Sequence, residues 1–108
     1  MIIEKLLMTR SIEGVDMKYT YSINKEMFNN VQAYGIKIER VDIKDGVIIN
    51  RVEDEVEHIS NKYYKVKGLL NMLYKNKVSP IHLVDIIGEY VDAWVNDFEE
   101  NNSIVNIL

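Results

Sequence analysis

The hydrophobic period changes partway along the chain, and this limits the fold more than any other feature. "MKYTYSI" places Met17, Tyr19, Tyr21 and Ile23 at alternate positions, the two-residue period of a half-buried strand. "YGIKIERV" repeats it, with Tyr34, Ile36 and Ile38 inward and Lys37 and Glu39 outward. "KDG" at Lys44 to Gly46 is an Asp-Gly turn signal and "VIINRV" follows it, so residues 33–43 and 47–53 read as a β-hairpin. Upstream, Ile2 to Ser11 reads as a strand turning at "EGVD", with a helix as the alternative for "EKLLM". "NKEMFNN" reads as a loop by its asparagines, and Gly35 inside a strand points to a bulge.

Beyond residue 60 the period is helical. Ser60 is placed to cap a helix, with Ile59 and Tyr64 set for a hydrophobic staple. Tyr63, Val66, Leu69, Leu70, Leu73 and Tyr74 then fall on one stripe. "NKVSP" ends this helix, and Ser79 and Pro80 suit the cap and first position of a second, expected to run to about Phe98. Its apolar arc is wide: Leu83, Val84, Ile86, Ile87, Tyr90, Val91, Trp94, Val95 and Phe98. So broad a face should touch the sheet and the first helix, or else a second subunit, and Trp94 should anchor the core. The expected architecture is α+β: an antiparallel sheet of about four strands in meander order, covered on one face by two C-terminal helices.

At 108 residues, with 47% hydrophobic and 28% charged side chains, the chain suits one globular domain over residues 1–100. An apolar tail at 101–108, "NSIVNIL" after Asn101, is expected to be disordered in the monomer or ordered only by strand addition. No stretch approaches the roughly 20 apolar residues of a membrane span, and the start does not resemble a signal peptide, so a cytoplasmic location with no membrane association is expected. With no cysteine, thiolate catalysis and cysteine-ligated zinc are excluded.

The long motif "NMLYKNKVSPIHLVDIIGEYVDAW", with "YGIKIE" upstream, resembles a family of small cytoplasmic proteins of unknown function. Those proteins come from spore-forming anaerobic Gram-positive bacteria and their mobile elements. The likeness is strongest from Ile59 to Trp94. It implies a self-standing domain of bacterial or phage-like source, and it assigns no residue a role.

The net charge of −4 disfavours direct nucleic-acid binding, because that affinity comes from lysine and arginine displacing counterions. Glu53, Asp54, Glu55 and Glu57 form an acidic knot, with His58 beside it. Lys62 to Lys77 is basic, and from Val78 onward there are six acids and no lysine or arginine. On the second helix His82, Asp85, Glu89 and Asp92 share the face opposite the apolar arc, with Gly88 beside them. One straight helix sets these groups side by side instead of around a point, so metal binding is not expected there. Together with Gly88, whose missing side chain permits close approach, they form a candidate partner-binding face. No catalytic residue, cofactor or metal is expected. The reading is a non-enzymatic protein-interaction or regulatory module, with a second copy of the chain (a homodimer) as one partner the broad apolar arc would admit. The alternative is a small acidic phage-type inhibitor that occupies a nucleic-acid-binding surface of its target.

Overall fold

A computed structural model describes residues 1–98. Four strands, β1 (Ile2–Ile12), β2 (Val15–Phe28), β3 (Val31–Lys44) and β4 (Val47–Ser60), form one antiparallel sheet in the order β1-β2-β3-β4. Helix α1 (Tyr63–Lys75) and helix α2 (Leu83–Trp94) follow, and a 3₁₀ turn at Pro80–His82 leads into α2. This is the α+β meander with two C-terminal helices expected from the period change.

Each pair of strands is joined by a two-residue turn with both residues at positive φ. These are Glu13-Gly14 (51° and 80°), Asn29-Asn30 (50° and 64°) and Asp45-Gly46 (50° and 78°). That signature belongs to the type I′ turn, whose twist matches that of the flanking strands. Asparagine and glycine tolerate these angles, and Glu13 is the residue least suited to them. The tight turns explain two departures from expectation. "NKEMFNN" is not a loop: Asn24–Phe28 completes β2, and Asn29-Asn30 alone makes the turn. The hairpin is also longer than residues 33–43 and 47–53, because paired backbone continues wherever no proline or wide turn interrupts it. "EKLLM" is strand, held by the β1–β2 ladder.

Tyr21, Ile23, Ile36 and Ile38 lie fully buried on one face, with Tyr19 close behind. Val66, Leu69, Leu70 and Leu73 of α1, Leu83 and Ile87 of α2, and Ile59 complete this core. Each such side chain contributes about 1.5–3 kcal/mol through burial. The Tyr21 hydroxyl donates to the Val78 carbonyl at 2.9 Å, fixing the connection between the helices to the sheet. Burial pushes its pKa up to about 12.

At the other end of the same face the packing is polar. Asp42, only 6% exposed, accepts from Asn50 Nδ2 at 3.2 Å and Arg40 Nη2 at 3.3 Å. Arg40 Nε lies 3.1 Å from its second oxygen, an ion pair without hydrogen-bond alignment. On this end of the same face Ile12 and Val47 are exposed.

Several helix details differ from the sequence reading. Ser60 ends β4, and the α1 cap position falls to Lys62; the Ser60 hydroxyl still accepts from the Lys62 N–H at 3.0 Å. No staple forms, because Ile59 is in the core while Tyr64 is 69% exposed. Ser79 precedes the 3₁₀ turn but its side chain caps nothing; its backbone carbonyl accepts from the His82 N–H instead. Helix α2 ends at Trp94, four residues short of Phe98. Tyr63 and Tyr74 sit at the rim of the core, tying α1 to β1 through hydrogen bonds to Glu4 Oε2 and the Leu7 carbonyl. The tail expected at 101–108 lies outside the described residues.

Candidate functional site

The polar face predicted on α2 is solvated. His82, Asp85, Glu89 and Asp92 are exposed, and among the described residues no hydrogen bond or ion pair engages their side chains. They share a strip without converging. Gly88 is half-buried, but a methyl group placed there would meet nothing within 4 Å, so no other element of the chain approaches it closely.

The wide apolar arc of α2 is only partly covered. Leu83 and Ile87 reach the core, whereas Val84, Ile86, Tyr90 and Val95 are exposed and Trp94 is half-buried. The expectation that Trp94 is a core anchor therefore needs correction: it packs against the core from its rim. The reason is the splay of the helices. α2 leans on β4 and α1 on β2 and β3, and a shallow groove opens between them.

Tyr64, Gly68, Leu69 and Met72 line this groove from α1, and Tyr90 and Trp94 from α2. The Tyr90 and Trp94 rings lie 5.5 Å apart, and Lys65 Nζ sits 5.3 Å from the Trp94 centroid. That distance allows a cation–π contact. Gly68 is exposed, and an added methyl would meet nothing within 4 Å, so the fold does not require glycine there. Its effect is to deepen the groove wall, at about 1 kcal/mol of helix propensity relative to alanine.

One end of the groove is pinned by Asp97. Its carboxylate accepts from the Ser60 hydroxyl at 2.6 Å and pairs with Lys65 at 3.0 Å and Lys62 at 3.4 Å. Burial alone would raise the Asp97 pKa, but the Ser60 hydrogen bond and the two ammonium groups outweigh it and hold the carboxyl below its ordinary value. At the opposite side of α1, Glu4 accepts from Lys67 and from Tyr63 Oη. Those bonds, Lys67 first, hold the Glu4 carboxyl below its usual range, and Glu4 in turn raises the Tyr63 hydroxyl.

A second grouping lies where β4 departs from the regular ladder. Between Ile36↔Val56 and Tyr34↔Ser60, two residues of β3 span four of β4. This is the irregularity that Gly35 signalled. A methyl group on Gly35 would sit 2.0 Å from the Glu57 carbonyl oxygen and 2.5 Å from that of Val56. The extra β4 backbone occupies the space a side chain would need. Here Glu57 and His58 approach Glu26 of β2.

Sequence reasoning reached neither the groove nor this grouping. The groove's one signal in the sequence is Gly68, a glycine inside the helical stretch that the reading of the stripe passed over. His58 was visible only as a neighbour of acids, since its proximity to Glu26 depends on the bulge.

A family model described as a family of unknown function (DUF6514) matches residues 1–93. The chain belongs to that family. The match takes in all four strands, α1 and nearly all of α2, and stops one residue before Trp94. No curated protein and no solved structure matches the chain.

Proposed function

We propose that this member of DUF6514 is a non-enzymatic protein-interaction or regulatory module that docks a partner in the groove between α1 and α2. The observation that carries this reading is the set of exposed Tyr64 and Tyr90 with half-buried Met72 and Trp94 around a glycine that the fold itself does not need. Aromatic and methionine side chains in a desolvatable groove are the composition of binding hot spots. With Lys65 already paired to Asp97, the aromatic rim favours a partner segment with apolar anchors.

Gly68→Ala tests the reading cleanly. The substitution should raise thermal stability, because alanine is the better helix former and nothing obstructs its methyl group. It should also reduce capture of the native partner, as should Tyr64→Ser combined with Tyr90→Ser. Unchanged capture by all of these variants would overturn the groove as the docking surface. A second copy is one partner this surface admits, and mass measured across a dilution series separates self-association from capture of another protein.

A second reading rests on the uncompensated acidic row of Asp85, Glu89 and Asp92. It is that of a small inhibitor, of phage or mobile-element origin, presenting carboxylates to a basic nucleic-acid-binding surface. Charge removal by Asp85→Asn, Glu89→Gln and Asp92→Asn distinguishes the two. Loss of a basic, nucleic-acid-binding prey with this triple variant, and not with the groove variants, would favour the inhibitor.

A further inference from the structure

We propose that Glu26, Glu57 and His58 form a binding site for a divalent first-row metal ion such as Zn²⁺, in preference to Mg²⁺. One ligand atom from each side chain lies within 4.8 Å of the other two. Tetrahedral bonds of 2.0–2.2 Å place donor atoms about 3.4 Å apart, so side-chain adjustments of roughly 1 Å would close the site around an ion. One imidazole with two carboxylates is a borderline donor set. The imidazole nitrogen favours Zn²⁺ over Mg²⁺, a hard ion that takes oxygen ligands.

The placement is built into the backbone. Adjacent residues of a regular strand point to opposite faces, so Glu57 and His58 could not both reach Glu26 from an unbroken β4. The irregularity opposite Gly35 lets them do so, and the space it occupies exists only because residue 35 has no side chain.

The donors are also oriented from outside. Asn24 Nδ2 donates to Glu26 Oε1 at 2.7 Å, leaving Oε2 facing His58 Nε2 at 3.9 Å. The His58 ring stacks on Phe28 at 4.2 Å and 16°, and Phe98 packs edge-on against Phe28 at 5.4 Å. The stack restricts the orientation of the His58 ring. Among the described residues no lysine or arginine pairs with Glu26 or Glu57, although Glu39 and Glu53 on the same sheet pair with Arg51 and Lys37. Two carboxylates brought together without a cationic side chain match the charge of a divalent ion.

The full chain, stripped with chelator, should bind one equivalent of Zn²⁺ in a calorimetric titration and bind Mg²⁺ far more weakly. His58→Ala should weaken Zn²⁺ at least tenfold, and Glu26→Gln and Glu57→Gln should each weaken it, while His82→Ala should leave it unchanged. In the wild-type chain Zn²⁺ should shift the NMR signals of the His58 ring and not those of His82, a readout that needs no variant to fold. The proposal is overturned if Zn²⁺ fails to bind below millimolar concentration, if His58→Ala binds as the wild type does, or if the His82 ring responds instead.

Discussion

The two ends of the sheet's covered face solve the same problem with different chemistry. Under the helices, Tyr21, Ile23, Ile36 and Ile38 lose all contact with water. Beyond the helices, Arg40, Asp42 and Asn50 hold the surface with ionic and amide contacts, while Ile12 and Val47 on the same face stay exposed. Both ends have the same alternating strands and the same two-residue turns. What differs is whether a helix lies above, so cover, and not strand propensity, decides where the core sits.

Substitutions of one residue type at the two ends should expose the contrast most sharply. Ile38→Ala should cost about 3–4 kcal/mol in denaturant unfolding, and Ile12→Ala under about 0.5 kcal/mol. Equal losses would mean that the far end is covered in solution. Next in size, Asp42→Ala should cost about 2 kcal/mol, because it leaves the half-buried Arg40 guanidinium without its carboxylate. A neutral result would show that the polar end contributes nothing to stability.

Tyr21→Phe should cost about 1–2 kcal/mol by leaving the Val78 carbonyl without its donor. It should also change the alkaline behaviour. The native tyrosine keeps its proton up to about pH 12, whereas the unfolded chain releases it near 10. The unfolded state thus binds fewer protons in that window, and stability present in full below pH 10 falls as pH rises toward 12. Phenylalanine cannot titrate, so this part of the alkaline decline should vanish in melting curves taken across the window. Smallest of all, Ser79→Ala should leave stability within about 0.5 kcal/mol, because its hydroxyl makes no cap bond. A loss near 1 kcal/mol would restore the serine as a functional cap.

The strands and helices were legible because their periods differ and because Asp-Gly and Pro announce turns. Strand ends were less so: Asn24–Phe28 has a polar start, and only pairing with 31–35 makes it β. The overestimate of α2 burial has a geometric cause. A helical wheel shows which residues share a side, but not how far two helices stand apart, so Trp94 and Tyr90 looked like core while lining an open groove. Gly35 was read correctly because a glycine inside an apolar strand has few reasons to be there. The convergence of Glu26 with His58, 32 positions later, depends on strand register and could not be seen along the chain.

The three two-residue turns also bear on how the chain finds its fold. Every strand pairing can begin by closing a loop of minimal length, so the sheet forms with little loop-closure entropy and can zip outward from each turn. Isolated hairpins form in microseconds. The tertiary bonds span much longer stretches: Tyr21 to Val78 joins residues 57 apart, and Ser60 to Asp97 joins residues 37 apart. Docking α1 and α2 over these longer spans therefore carries more loop-closure entropy than pairing neighbouring strands.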